Sequence, residues 1–168
     1  MKKPTILIDG DILLYKTSTS VEKAINWGDE EGVGIDVWTL HSFPDEAEEH
    51  FNNQVKTIKD RFNTDKIVMV LSDRDNFRKK IDPEYKANRV SKRKPLIMPH
   101  LRSFVEANYN SYIRPTLEAD DVIGILSTSD KIIDGPKITA SSDKDFKTIP
   151  GHHWNLDKDE LFHISEVE

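Results

Sequence analysis

The chain has 168 residues, a formal net charge of −6 and no cysteine. This length is enough for one α/β domain with a hydrophobic core. The absence of cysteine excludes disulfides and thiolate metal sites. The negative net charge argues against a general affinity for nucleic acids. Residues 1–10 lack the apolar region of a signal peptide and no apolar run approaches membrane-spanning length, so we expect a cytoplasmic protein without a membrane partner.

Two apolar runs, residues 5–8 and 66–71, are predicted to be strands of a parallel sheet. Continuous apolar runs are typical of strands that are covered on both faces. The first run is followed by Asp9, Gly10 and Asp11, and the second by Ser72 and Asp73. Open α/β sheets bind ligands beyond the carboxyl ends of their strands, so these acids are expected at a ligand-binding edge.

Between these strands, residues 12–15 are expected to begin a helix or an irregular turn. Residues 25–43 contain two tryptophan segments around a glycine-flanked acidic stretch, which indicates a β-hairpin. Pro44 suits the first turn of a helix. The helical spacing of the following apolar residues predicts one buried stripe: Ala47, Phe51, Val55, Ile58 and Phe62.

Later elements continue the alternation of strands and helices. A helix stripe is predicted at Leu96, Ile97, Leu101, Phe104 and Val105. Strands are predicted at residues 111–114 and 137–140, with a fifth at 154–156. Between them a helix is expected to begin near Leu117, with Thr116 as its N-cap. This order predicts a single domain over residues 1–168, a three-layer α/β/α fold with a central, mainly parallel sheet.

The sequence Glu118-Ala119-Asp120-Asp121 places three carboxylates directly before an apolar run. Acidic first turns of helices are common, so this stretch alone leaves helix stabilisation and metal binding equally open. Acids follow other predicted strands as well, and in a parallel sheet all would meet at one edge. The full set is Asp9, Asp11, Asp73, Glu118, Asp120, Asp121, Asp143 and Asp145.

Such a cluster cannot stay ionised in one pocket without cations, and all-oxygen ligands favour Mg²⁺ or Mn²⁺. Two such ions would suit the in-line displacement of a phosphodiester. Helix capping is the alternative: Asp9 and Asp73 could cap the helices that follow, and Asp143 could cap a turn that contains Asp145. Four such coincidences in register are less expected than a metal site, in which Asp11 is the weakest member.

Residues 74–94 carry nine Lys or Arg residues against three acids. This segment contains Pro83 and lacks a helical or alternating apolar pattern, so a mobile loop or an arch over about residues 74–98 is expected. Lys and Arg beside a metal–phosphate site can stabilise charge on a scissile phosphate, and Tyr85 offers a face for base stacking. An ordinary solvated charged loop is the alternative.

Five motifs together resemble the 5′→3′ exonuclease and flap endonuclease family, in particular phage exonucleases and the 5′-nuclease domain of bacterial DNA polymerase I. They are IDGD (8–11), SD (72–73), DPEYKANR (82–89), EADD (118–121) and SSDKDFKTIP (141–150). The resemblance implies a PIN-like fold and metal-dependent hydrolysis of DNA that has a free 5′ end or a flap, in the cytoplasm of a bacterial host if the protein is phage-encoded.

The resemblance also implies roles for individual residues. Lys86 and Arg89 would contact the scissile phosphate, with Tyr85 near the unpaired terminal base. Substrate contacts are further expected from Arg78, Lys80, Lys92, Arg93 and Lys94. The implied metal ligands are Asp9, Asp73, Glu118, Asp120, Asp121, Asp143 and Asp145.

The sequence departs from the family pattern at its end, because a further GDxxDN motif and a helix-three-turn-helix element do not follow. We therefore expect one tight and one weak metal site, slow cleavage that is better with Mn²⁺ than with Mg²⁺, and possible completion by a separate chain.

Two other functions compete with a nuclease. Asp9-Gly10-Asp11 resembles the nucleophile motif of haloacid dehalogenase-type phosphatases, although Ile12 departs from it and the segment YKANR stays unexplained. The other alternative is a DNA-binding remnant that is weakly active or inactive.

Overall fold

The computed structural model describes residues 2–28, 37–89 and 92–165. Two 3₁₀ turns, Ala87–Arg89 and Lys144–Thr148, accompany the regular elements. In chain order the elements are β1 (Thr5–Asp9), α1 (Gly10–Val21), β2 (Lys23–Asn26), β3 (Trp38–His41), α2 (Pro44–Phe62), β4 (Ile67–Val70), α3 (Phe77–Ile81), α4 (Met98–Asn108), β5 (Ser111–Tyr112), α5 (Ala119–Thr128), β6 (Lys137–Ser141), β7 (Gly151–Asn155) and β8 (Glu160–Ile164).

The main sheet has the strand order β5-β4-β1-β6-β7-β8 and is parallel except for β8 at one edge. β1 lies at its centre, where Ile8 is in register with Met69 of β4 and Ala140 of β6. All five residues of β1 are buried. This burial on both faces explains why the strand is a continuous apolar run rather than an alternating one.

Helices cover both faces of the sheet, which confirms the predicted three-layer fold. On one face Ile6 and Ile8 of β1 pack into a core with residues of α1, α2 and α4, among them Leu14, Phe51 and Leu101. On the other face the side chain of Leu7 packs against α5 and the 3₁₀ turn at Lys144–Thr148. Successive side chains of a strand point to opposite faces, so one strand supports both cores.

The predicted helix at Pro44 is α2, with Pro44 in its first turn and Asn63 as a left-handed C-cap. Ala47, Phe51, Val55 and Ile58 of the predicted stripe are buried, whereas Phe62 is only partly buried. The hairpin is also confirmed: β2 and β3 pair antiparallel in a separate two-stranded sheet. Most of the acidic stretch between them, residues 29–36, lies outside the described part of the chain.

Several predicted elements differ from the structure in their extent. The helix or turn predicted to begin at residues 12–15 is a helix, but it starts earlier, at Gly10, and runs to Val21 with Asp9 as its N-cap. Leu96 was predicted to lie in the buried stripe of α4, but it is exposed and precedes the helix, which starts at Met98. Strand β8 was missed, since Glu160–Ile164 follows a charged turn in which Asp159 adopts a positive φ of 51°.

Residues 74–94, which we call the basic segment, were expected to be irregular, but they contain the short helix α3. Asn76 is the N-cap of this helix, and its side chain accepts a hydrogen bond from the backbone N–H of Arg78. A helix of five residues is too short to show an apolar period, which explains why the sequence pattern missed it.

Candidate metal centre and nucleic-acid interface

The carboxyl ends of β1, β4 and β6 bring their acids to one edge of the sheet. Asp9 ends β1, and its carboxylate accepts hydrogen bonds from the backbone N–H of Ile12 at 3.2 Å and from the hydroxyl of Ser141 at 3.0 Å. Ser141 ends β6 and also accepts a hydrogen bond from the backbone N–H of Asp143. Ser141 therefore links Asp9 and Asp143.

Burial shifts the pKa of the Asp9 carboxyl group. The residue is only 5% exposed, and this burial raises the pKa of its carboxyl group to about 7. The nearby carboxylates of Asp11 and Asp143 raise the pKa further, against the two hydrogen bonds that lower it. A bound cation would stabilise the ionised form of this buried acid and reduce its repulsion with the neighbouring carboxylates.

Helix α5 presents its first turn to the same edge. The helix begins at Ala119, and its N-cap is Glu118 rather than the predicted Thr116, which has a positive φ of 66°. Glu118 and Asp121 form a capping box in which each side chain accepts from the other residue's backbone N–H. Carboxylate oxygens of Glu118, Asp120 and Asp121 lie within 4.8 Å of one another. We call these three residues the acidic triplet.

Ser72 joins the acidic triplet to β4 and α1. Its hydroxyl accepts a hydrogen bond from the backbone N–H of Ala119 at 2.9 Å, and its own N–H donates to Asp11 at 3.1 Å. The carbonyl of Ser72 accepts a hydrogen bond from Arg102 of α4 at 2.7 Å. Four elements thus meet at the residue directly before Asp73.

Asp73 points toward the loop that leads into α5. Its carboxylate accepts hydrogen bonds from the backbone N–H of Thr116 at 2.7 Å and of Arg74 at 2.8 Å. These bonds, chiefly that from Thr116, hold the pKa of Asp73 below its usual range. The suggestion that Asp73 caps the next helix was wrong, because Asn76 caps α3, whereas Asp9 and Asp143 do act as caps.

Arg78 of α3 lies directly against the acidic triplet. Its two terminal nitrogens donate to the two carboxylate oxygens of Asp121, each at 2.6 Å, and Nη1 also lies 3.1 Å from Glu118 Oε2. This fork lowers the pKa of Asp121 and raises that of Arg78. Bidentate pairs of this kind are among the stronger charge-assisted hydrogen bonds.

Lys86 and Tyr85 also contact the carboxylate of Glu118. Lys86 Nζ donates to Oε1 at 2.6 Å, and the Tyr85 hydroxyl donates to Oε2 at 2.9 Å. Burial alone would raise the pKa of Glu118, but these hydrogen bonds outweigh it and the pKa is lowered. The basic segment therefore folds onto the acidic triplet through three of its side chains.

The remaining predicted residues lie apart from these contacts. Asp145 lines a groove with Asp120 and Asp121. Lys80 pairs with Asp75, and Arg93 forms a two-pronged ion pair with Glu22 at the end of α1. Lys92 and Lys94 are exposed. Arg89 ends the 3₁₀ turn at Ala87–Arg89, and its side chain lies outside the described part of the structure.

The donor set fits a hard divalent cation. The acidic triplet offers only carboxylate oxygens, which are the protein ligands that Mg²⁺ and Mn²⁺ prefer. The residues present could therefore hold a metal ion at the first turn of α5.

Sequence reasoning missed the residues that support this edge: Ser72, Ser141 and Arg102. The two serines had a signal, because each stands at the end of an apolar strand, directly or closely before an aspartate. Arg102 had none, since one arginine beside a helix stripe looks like part of a solvated face.

A family model and individual relatives of known function both place the chain in the same family. The model of the 5′-3′ exonuclease N-terminal, resolvase-like domain matches residues 4–167. The exodeoxyribonuclease of Enterobacteria phage T3 and the exonuclease of Escherichia phage T7 are each 31% identical over 155 residues, which is 88% of this chain. The chain spans about half of these relatives, 49% and 50% of their lengths.

A solved structure shows the same fold. The phage T5 flap endonuclease, crystallised in a pseudo-enzyme–product complex with DNA and metal ions, superimposes with a TM-score of 0.64. At 9% identity the match covers 95% of this chain and 57% of that one.

Proposed function

The chain belongs to the 5′-3′ exonuclease family, and we propose that it hydrolyses DNA phosphodiesters with the help of divalent metal ions, as a 5′→3′ exodeoxyribonuclease or flap endonuclease. The observation that carries this proposal is the acidic triplet, with Lys86 and Tyr85 in contact with Glu118. Carboxylates that can hold metal ions, beside cations that can bind phosphate, are the two halves of such a site.

We assign metal binding to Asp9, Asp73, Asp143 and Asp145 in addition to the acidic triplet, with Mg²⁺ or Mn²⁺ as the ions. When bound, the ions would supply an activated water and stabilise charge on the phosphate. Lys86 and Arg89 would hold the scissile phosphate, Arg78 would supply a further substrate contact, and Tyr85 would stack against the terminal base.

DNA with a free 5′ end or a flap is the proposed substrate, and residues 74–98 are the proposed arch that guides it. The substrate contacts outside the site would come from Lys80, Lys92, Arg93 and Lys94. Relatives from phages and from Buchnera aphidicola support an action inside bacterial cells. In the described residues no helix is both long and apolar enough to cross a bilayer.

A labelled 5′-flap duplex tests the proposal. With Mn²⁺ or Mg²⁺ the protein should release short labelled fragments, and with EDTA it should release none. Asp120→Ala should slow cleavage at least about a hundredfold, since one metal ligand is lost. Glu49→Gln is the matched control, because Glu49 is an exposed acid on α2. Cleavage in EDTA, or equal rates for the wild type and Asp120→Ala, would contradict the proposal.

A protein that binds the flap duplex but never cleaves it would instead favour the DNA-binding alternative. Because the chain spans about half of its phage relatives, the assay is run with and without a separate chain that supplies the rest of a relative. A faster rate with that chain would support completion of the site by a partner.

A further inference from the structure

We infer that Arg78 is a resident counter-ion of the acidic triplet, and that a divalent cation must displace it before the site can work. This inference rests on the proposed function and adds to it an exchange step. In the metal-free protein α3 would be held closed over the first turn of α5. In the loaded protein Arg78 would be released, and with it the basic segment that carries Tyr85 and Lys86.

The carboxylate oxygens of Glu118 and Asp121 already accept hydrogen bonds. Asp121 Oδ1 and Oδ2 each accept one arm of the Arg78 fork, and Oδ2 also accepts the backbone N–H of Glu118. Glu118 Oε2 accepts from both Arg78 and Tyr85, and Oε1 accepts from Lys86. A carboxylate oxygen has about two lone-pair sites, so little capacity is left for a metal ion at Glu118 and Asp121.

The charges at the site also favour exchange. The acidic triplet carries three negative charges, and Arg78 and Lys86 carry two positive ones, so these five side chains together have a charge of about −1. Adding a divalent cation while Arg78 and Lys86 stay in place would bring the total to about +1 and set three cations against one another, which like-charge repulsion disfavours. Releasing Arg78 and Lys86 removes that repulsion and leaves the acids free to bind the metal.

The side chain of Arg78 is the main contact that holds α3 against the first turn of α5. None of the five residues of α3 is buried, and Ile81 is 78% exposed. The described contacts of α3 with the rest of the fold include the fork to Asp121 and the hydrogen bond of Phe77 N–H to the carbonyl of Thr116. A helix with so little apolar burial can leave its position at low cost when its ion pair is exchanged.

Titration of Mn²⁺ into the metal-free protein without DNA tests the exchange. Arg78→Gln removes the competing charge, so it should bind Mn²⁺ at least about tenfold more tightly than the wild type. Lys79→Gln removes the same charge from the neighbouring exposed residue and should bind like the wild type. Arg78→Lys keeps the charge but not the fork, so its affinity should lie between, and it serves as the test if Arg78→Gln does not fold.

Trypsin provides a second readout that does not depend on affinity. Mn²⁺ should speed cleavage after Lys86 in the wild type, whereas Arg78→Gln should be cut quickly with or without metal. Equal or weaker Mn²⁺ binding by Arg78→Gln, or a wild-type cleavage rate that Mn²⁺ leaves unchanged, would overturn the exchange. If the wild type then still cleaves DNA, the proposed function stands; if neither protein binds Mn²⁺, the proposed function falls as well.

Discussion

Asp9 shows how a single residue couples the candidate site to the stability of the fold. Its carboxyl group has a pKa of about 7 in the folded protein, because it is buried, and 3.8 as its ordinary value. At pH values between 3.8 and about 7, Asp9 holds a proton in the folded state that it has lost in the unfolded state. The free energy of unfolding of the metal-free protein must therefore fall as pH rises through this window.

The variant Asp9→Asn tests this coupling. Asn keeps a carbonyl for Ile12, can donate to Ser141 and never ionises, so its stability in EDTA should lack the fall between about pH 4 and pH 7. At pH 8 it should exceed the wild type by a few kcal/mol, on the order of 4 at most. Urea unfolding across this pH range measures the difference, and Asp130→Asn, at an exposed position, should follow the wild type. Parallel curves for Asp9→Asn and the wild type would contradict the shift.

Arg102 supports the candidate site, although in the sequence it looks like an ordinary surface arginine. Its side chain is 18% exposed and donates to the Ser72 carbonyl, directly before Asp73. Arg102→Met keeps most of the volume but leaves this carbonyl without its donor, which should lower the free energy of unfolding by about 1–3 kcal/mol. Arg61→Met, which breaks an exposed pair with Asp159, should cost less than about 1 kcal/mol in the same urea experiment. Equal losses would show that Arg102 is an ordinary surface residue.

At the scale of elements, sequence periodicity predicted the helices and strands that have a repeating apolar pattern. It missed features that depend on a single residue or a single contact. The stripe of α2 and the apolar runs of β1 and β4 follow from burial, and the structure confirms them. The start of α5 depends instead on a capping box and on the positive φ of Thr116, which no apolar period encodes. The acids were predicted to meet because parallel strands end at one edge of the sheet. Arg102, which contacts this edge, comes from helix α4, and no local sequence pattern specifies how that helix approaches the sheet.

The junction of β1 and α1 leaves no room for a side chain at Gly10. A Cβ at Gly10 would lie 2.6 Å from Leu71 Cδ2 and 2.9 Å from the Val70 carbonyl oxygen. Because the second atom is backbone, α1 would have to shift away from β4, and Gly10→Ala should destabilise the protein by roughly 1–3 kcal/mol. Gly124→Ala is the matched control within α5, where the nearest atom is 3.4 Å away.

The control should show the opposite sign. Replacing a helix-interior glycine with alanine stabilises by up to about 1 kcal/mol, so Gly124→Ala should melt at or above the wild-type temperature. Thermal unfolding of the two variants compares them directly. A Gly10→Ala protein as stable as Gly124→Ala would mean that the close approach of α1 and β4 is relaxed in solution.

For the whole molecule, charge distribution determines how DNA would bind. The chain carries a net charge of −6, yet nine of its 24 basic residues lie between residues 74 and 94. Binding should therefore be local and salt-dependent, because phosphate contacts release counterions. Changing both exposed residues Lys92 and Lys94 to Gln should reduce the slope of log K against log salt by about 1.4–1.8, the loss of two phosphate contacts.

Lys3→Gln with Lys131→Gln gives the same change in net charge at the opposite side of the fold, since Lys3 precedes β1 and Lys131 lies between α5 and β6. If only the basic segment meets the DNA, this pair should leave the slope near the wild-type value, although both proteins have become more negative by two charges. Fluorescence anisotropy with a flap duplex in Ca²⁺ or EDTA, at several salt concentrations, compares the two. Equal loss of slope in both variants would indicate that net charge governs binding, and the basic segment would then have no special part in it.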